Sequence, residues 1–362
     1  MPRQLPVWGP PNYPLDQSDS STKKVDLEYV ENCSKAGVTK LIPGGGSKNL
    51  VETAHTNDIE VHPYNAFPAH GGLNIEYRQW STIYPRPGIE APESRVLLDD
   101  HRPIYAGPYT NLKLSGFSKQ HPEYWSRKRD DSDNLFPGEV LSLSLSHEQV
   151  REYEIGIYLD MLEETGGDGV QVEFVRTNED ENWTNIHGYE DRMVQEFIQA
   201  HGKNPMEIPN DDEDWMRFRS SYITLFLSEL RDRIKTSRPE AVLSSTIIAQ
   251  ETSDYLKLLQ DWPTWIDRGL VDEFYLWFRT NSNLKDLERQ MAHVAKINSN
   301  RVPLIAELSC YHPGSFQQPE MLLEAARVAL DNGADAVGVY RSHAIEQLDL
   351  WCVLEKISTL LF

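Results

Sequence analysis

A single (β/α)₈ TIM barrel with long insertions after strands three and four is the fold class this sequence predicts, on three observations. From about residue 148 onward, short runs rich in β-branched residues alternate with long amphipathic stretches at the spacing of strand–helix units. Gly166 and Gly333 follow the last periodic residues of two of those stretches, as helix C-caps do. The 362-residue length fits one barrel of the usual size carrying insertions.

The elements follow in order. Residues 5–9, LPVWG, read as the first strand, 24–36 as a helix and 38–44, VTKLIPG, as the second strand. A short helix at 48–56 precedes the third strand at 59–67, IEVHPYNAF. Residues 148–165 place Val150, Tyr153, Ile157, Tyr158, Met161 and Leu162 on one helical face. GVQVEFVR (169–176) is the fourth strand, and a helix at 212–235 leads to the fifth, AVLSSTIIA (241–249). Helices at 254–268, 283–298 and 319–332 lead to strands at 271–278, 302–309 and 334–341, and a last helix spans 345–360. Eight strands suit a closed barrel better than an open doubly wound sheet. The open alternative would carry a spaced glycine fingerprint, and the Gly44–Gly46 run lacks it. The whole chain, 1–362, reads as one domain, with the insertion at 68–147 forming part of its cleft.

Composition narrows the partners. A net charge of −21 argues against a broad nucleic-acid surface, and no apolar run reaches the roughly 20 residues of a membrane span. Cys33, Cys310 and Cys352 lack metal or dithiol spacing and read as buried thiols. No cofactor or metal is expected: His62, His312 and His343 fall near strand ends, but no HxH or HExxH spacing supports a metal site. The first residues lack an apolar signal-peptide core, so a periplasmic or secreted location is favoured only if a signal peptide has been removed. Oligomeric state is not legible.

The chemistry-bearing residues gather at carboxyl ends of strands, the functional face of such barrels. In VQVEFVR, alternation puts Val170, Val172 and Phe174 on one face and Gln171, Glu173 and Val175 on the other. Glu173 therefore points to the barrel mouth or pairs with Arg176. Glu307, a lone carboxylate in VPLIAELSCYHPG, lies on strand seven, opposite strand four. Two facing carboxylates suit glycoside hydrolysis, with Glu307 expected as nucleophile and Glu173 as acid/base. Glu251 either lines the site or caps the next helix. Tyr275, Trp277 and Tyr340 are stacking surfaces for sugar rings or barrel-core packing. Arg279, Arg341 and His343 complete the strand ends as substrate-binding candidates. The 68–147 segment carries Tyr77, Trp80, Tyr84, Tyr105, Tyr109, Tyr124 and Trp125, several of which are expected to face the cleft as sugar platforms. The 177–211 segment carries Asn178, Trp183, His187 and Tyr189 and is expected to form the other wall.

The stretch YWSRKRDDSDNLFPGEVLSLSLSHEQVREYEIGIYLDMLEETGGDGVQVEFVR resembles the core of bacterial glycosyl-hydrolase-like (family-10-like) barrel proteins. The likeness rests on the Arg- and Asp-bearing loop, a Leu-Ser-Leu-Ser strand at 141–144 and the Val-Arg-Glu-Tyr helix start at 150–153. It continues in the strand from Asp168 to Arg176, in HGKNPMEIP (201–209) and in the DWMRFR helix, covering about residues 120–250. It implies a (β/α)₈ fold and hydrolysis of O-glycosyl bonds, often in polysaccharide degradation outside the cytoplasm. Many relatives carry Asp at the position of Glu173, so an acidic role is what transfers. Hydrolases that pair glutamates on strands four and seven usually have Asn before the first; here Val172 stands there. A chitinase-like DxxDxDxE pattern is also absent, since Val175 occupies the place of its glutamate. The alternatives are a non-catalytic carbohydrate-binding barrel and a metal-dependent barrel lyase or isomerase. A Schiff-base aldolase is disfavoured because strands four to eight end without a lysine.

Overall fold

The computed structural model describes residues 4–9, 20–66, 120–129, 143–173, 187–249, 253–278, 283–311 and 314–361, with short backbone pieces between 73 and 117. Among the described residues, nine strands form one parallel sheet: β1 (Pro6–Trp8), β2 (Lys40–Ile42), β3 (Glu60–Val61), β4 (Tyr64–Ala66), β5 (Gly169–Glu173), β6 (Val242–Ile248), β7 (Glu273–Trp277), β8 (Leu304–Ser309) and β9 (Ala336–Tyr340). Its order is β3-β2-β1-β9-β8-β7-β6-β5-β4. The two ends of that order, β3 and β4, are consecutive in the chain and separated only by His62 and Pro63. They are the single third strand expected from the sequence, interrupted where proline has no N–H to give to a ladder. Its first half pairs with β2 and its second half with β5, so the sheet closes on itself.

The described α-helices are α1 (Ser20–Lys35), α2 (Lys48–His55), α3 (Glu148–Thr165), α4 (Asp191–His201), α5 (Glu213–Ser237), α6 (Trp262–Asp267), α7 (Leu284–Asn298), α8 (Pro319–Asp331), α9 (Ser342–Gln347) and α10 (Trp351–Leu361). Strand alternation sorts the core into two. Val7, Leu41, Val170, Val172, Phe274, Leu276, Leu304, Ala306, Val337 and Val339 point outward into the shell packed against the helices. Trp8, Ile42, Tyr275, Ile305, Ala336 and Tyr340 form a separate inner cluster. Gly338 belongs to the inner face for a steric reason: a Cβ there would lie 2.8 Å from Cζ3 of Trp8.

Several expectations change. The helix read at 254–268 is broken into a 3₁₀ turn at Ser253–Leu256 and the short α6. Leu259 sits at φ 56°, and the buried Gln260 turns inward, accepting from Ile248 N at 2.9 Å and donating to the Thr246 carbonyl at 3.3 Å. The last helix is likewise two, α9 and α10, broken where Asp349 takes φ 51°. Residues 191–201, within the 177–211 segment, form α4, burying Met193, Val194 and Phe197 and capped by Gly202 at φ 66°. Of the Leu-Ser-Leu-Ser stretch, Leu143 makes one isolated bridge to Trp125 and no regular strand. On α3 the buried face includes Arg151, Glu154 and Ile155, while Tyr153, Ile157 and Met161 are only half-buried. Cys33 and Cys310 are buried as expected; Cys352 is exposed.

Candidate active site

Glu173 is the last residue of β5, in register with Ala66 of β4. Glu307 lies on β8, in register with Trp277 on one side and Gly338 on the other. Both carboxyls are buried, at 3% and 4% exposure, and Oε2 of each has no hydrogen-bond partner. A buried carboxyl oxygen without a partner is costly. A polar ligand entering the mouth would relieve both.

The two carboxyls feel each other. Burial raises Glu307 well above the ordinary carboxylate range, and the charge of Glu173 raises it further. Glu173 is pushed up to about 8 by burial, against the opposing pull of the Arg341 guanidinium. Two such groups do not both ionise near neutral pH. Both are held towards the protonated form, and Arg341 eases the ionisation of Glu173.

Arg341 is fixed by aromatic rings. Its guanidinium lies 5.4 Å from the Tyr311 ring centroid and 5.2 Å from that of Tyr340, and its Nη1 donates to the Tyr340 hydroxyl at 3.0 Å. Tyr311 and Tyr340 meet edge to face at 6.2 Å. Beneath them, Trp8 packs edge-on against Tyr275 at 5.1 Å and Tyr340 at 6.1 Å. Tyr64 and Tyr311, both half-buried, border this inner cluster.

The structure thus brings Glu173, Glu307, Tyr340 and Arg341 together, with Trp277 half-buried beside Glu307. Tyr275 is fully buried, its hydroxyl donating to Glu273 Oε1 at 2.9 Å, so it supports the floor and presents no surface to a ligand. Trp125 is 1% exposed within the outer core and forms no sugar platform. Tyr124 stacks on His121 at 5.0 Å, next to the Phe117 ring that stacks on Tyr153 of α3 at 4.1 Å. His187 and Tyr189 are buried as well: Arg129 and Arg219 lie over the Tyr189 ring at 5.3 and 5.9 Å, knitting this segment to α5. Arg176, Glu251, Arg279, His312 and the side chain of His343 lie outside the described residues, as do Tyr77, Trp80, Tyr84, Tyr105, Tyr109, Asn178 and Trp183.

Sequence reading missed Trp8, Tyr64 and Tyr311. Trp8 and Tyr311 had a signal, because each is an aromatic residue at or just after the end of a strand, whereas Tyr64 begins β4. His62 proves to be interior: it is fully buried near the amino-end pair of Lys40 and Glu273, and burial holds its ring far below the usual histidine range.

Residues 106–309 match the family described as glycosyl hydrolase-like 10. The chain belongs to that family. Its fold is similar to the glycoside hydrolase domain of PgaB (BpsB) from Bordetella bronchiseptica, with a TM-score of 0.62 and 13% identity over 99% of both chains. It is also similar to a β-galactosidase from Bacillus circulans sp. alkalophilus, with a TM-score of 0.63 and 12% identity over 100% of this chain and 56% of that one. A third is the GH36 α-galactosidase AgaA from Geobacillus stearothermophilus, with a TM-score of 0.52 and 11% identity over 99% and 42%. At these identities the similarity establishes the TIM-barrel fold. No curated protein matches by sequence. Among the described helices, none is long and apolar enough to cross a membrane.

Proposed function

We propose that this protein hydrolyses O-glycosyl bonds in a poly- or oligosaccharide, with Glu173 and Glu307 as its catalytic pair. The observation that carries this reading is two buried, interacting carboxyls on strands four and seven of the barrel, each with an oxygen that has no hydrogen-bond partner. Arg341 stands beside Glu173 and favours its ionised form, which suits Glu173 to attack and Glu307 to serve as the acid. This reading exchanges the roles expected from the sequence. Glu307 donates its proton to the glycosidic oxygen while Glu173 attacks the anomeric carbon, so the bond to carbon forms at Glu173 as the bond to the leaving oxygen breaks. Glu307, now a carboxylate, takes a proton from water; that water attacks the same carbon and releases Glu173. This is a retaining cycle.

Tyr311, Tyr340 and Trp277 offer aromatic edges and faces to the sugar, and Arg341 offers donors to its hydroxyls. Arg176, Glu251, Arg279 and His343, which follow strands four, five, six and eight, are assigned to substrate binding, and the 68–147 segment to the cleft wall.

The test is reducing-end release from a panel of polysaccharides with and without EDTA, followed by NMR of the first anomer formed. Turnover that survives EDTA and yields the retained anomer supports the reading. Binding without turnover would make the protein a carbohydrate-binding barrel, and loss of turnover in EDTA a metal enzyme.

A further inference from the structure

Behind Glu173, on the helix side of the barrel wall, lies a second buried polar group that the proposed chemistry does not use. Tyr158 of α3 is fully buried, and its hydroxyl donates to the Asn65 carbonyl at 3.0 Å. The position of that carbonyl gives the contact its interest. In the parallel ladder between β4 and β5, Gln171 N donates to the Pro63 carbonyl, and Asn65 and Ala66 are in register with Val172 and Glu173. Two residues further along the same ladder, the Asn65 carbonyl stands opposite the Glu173 N–H. A carbonyl has two lone pairs, so it can serve the strand and the phenol together. The last rung before the mouth is thus braced from behind.

One helical turn earlier on the same face is Glu154, 1% exposed, with a buried Oε1 that has no partner. Burial pushes its carboxyl up to about 8, so it stays uncharged at neutral pH. Burial, Glu154 and Glu173 all hold the Tyr158 phenol well above its ordinary range, which keeps the hydroxyl a donor.

We propose that Tyr158 is a positioning residue for Glu173, holding the end of β4 so that the β5 terminus presents its carboxyl at the angle the site requires. This rests on the reading of Glu173 as a catalytic carboxylate. The role is mechanical, because Tyr158 reaches the opposite side of the strand wall and touches no substrate.

The experiment is Tyr158→Phe in the full chain, which keeps the ring and removes the hydroxyl. Turnover of the polysaccharide identified by reducing-end release should fall at least about tenfold in kcat with KM unchanged, since small misplacements of a reacting group are costly. Amide hydrogen exchange on the ligand-free protein gives a reading independent of turnover. Exchange at Val172 and Glu173 should quicken, while that of β8 stays as in the wild type. Unchanged kcat together with unchanged exchange at Glu173 overturns the proposal, as does a change confined to KM. Glu173→Gln, run in parallel, separates the two claims: if it turns over normally, the catalytic reading fails, and the exchange data still decide whether Tyr158 braces the strand.

Discussion

Lys40 Nζ lies 2.7 Å from Glu273 Oε1 inside the barrel, and the Tyr275 hydroxyl donates to the same oxygen from the other side. Lys40 is 1% exposed, so its ammonium depends on this carboxylate and, at 3.7 Å, on the more exposed Glu60. Replacing Lys40 with Met leaves Glu273 buried without its cation and should destabilise the fold by about 3–5 kcal/mol in urea unfolding. The double variant K40M/E273Q removes the stranded charge and should regain a good part of that loss. Equal losses in the single and double variants would show that the pair contributes through packing alone.

Glu173→Gln and Glu307→Gln should each lower kcat by about a thousandfold or more while the far-UV spectrum and melting temperature stay near wild type. They should differ in how they are rescued. With an aryl glycoside whose leaving group needs no proton, Glu307→Gln should recover much of its first-step rate and Glu173→Gln should not. The reverse pattern would restore the assignment expected from the sequence.

Removing the guanidinium beside Glu173 should move its titration. In Arg341→Met the carboxyl loses the charge that favours ionisation, so the acidic limb of the kcat/KM profile should shift to higher pH by about one unit or more. An unmoved limb would mean that Arg341 does not set the ionisation of the pair.

Glu154→Gln should change stability in a pH-dependent way. The folded-state pKa of Glu154, about 8, stands above its ordinary 4.5, so the unfolded chain gives up the proton first. The wild type therefore holds its full stability from this group below about pH 4.5 and loses it as the pH rises towards 8. The Gln variant lacks that slope and should gain on the wild type by on the order of 3 kcal/mol at pH 8, with no gain at pH 4. Parallel pH–stability curves for the two proteins would refute burial as the cause.

Gly9 takes φ 140°, and a Cβ placed there would lie 2.2 Å from Ser342 Oγ at the start of α9. Gly9→Ala should cost about 2 kcal/mol or more, through backbone strain and the clash together. Gly9→Ala with Ser342→Gly should recover only the steric part, and calorimetry of the three variants separates the two contributions.

The barrel was legible because its strands bury both faces or alternate cleanly, as in Gly169–Glu173, and because Gly166 and Gly333 mark helix ends. What escaped reading was polar residues doing interior work. Arg151 and Glu154 turn inward on α3, where a hydropathy pattern puts charged residues outside. Gln260 breaks a helix because its amide completes the backbone bonding at the end of β6, a partner many residues away in the chain. The carboxyl pair was legible as lone acids at strand ends. Its raised hold on protons was not, since that depends on the desolvation and proximity created only when β5 and β8 face each other across a closed sheet. Trp125 was misread for the converse reason: an aromatic-rich segment contains both ligand platforms and the anchors that pin it down, and composition does not separate them.

The closing of the sheet has a consequence for the order of events during synthesis. The first strand, β1, hydrogen-bonds to β2 on one side and to β9 on the other, with Val7 facing Val339. A ribosome delivers β1 long before β9, so in the meantime β1 waits with one side unpaired. Over that interval an apolar ribbon is open to pairing with neighbouring chains. Shielding it until β9 emerges is then a task for chaperones, and slow elongation between the two strands should lower the yield of soluble protein.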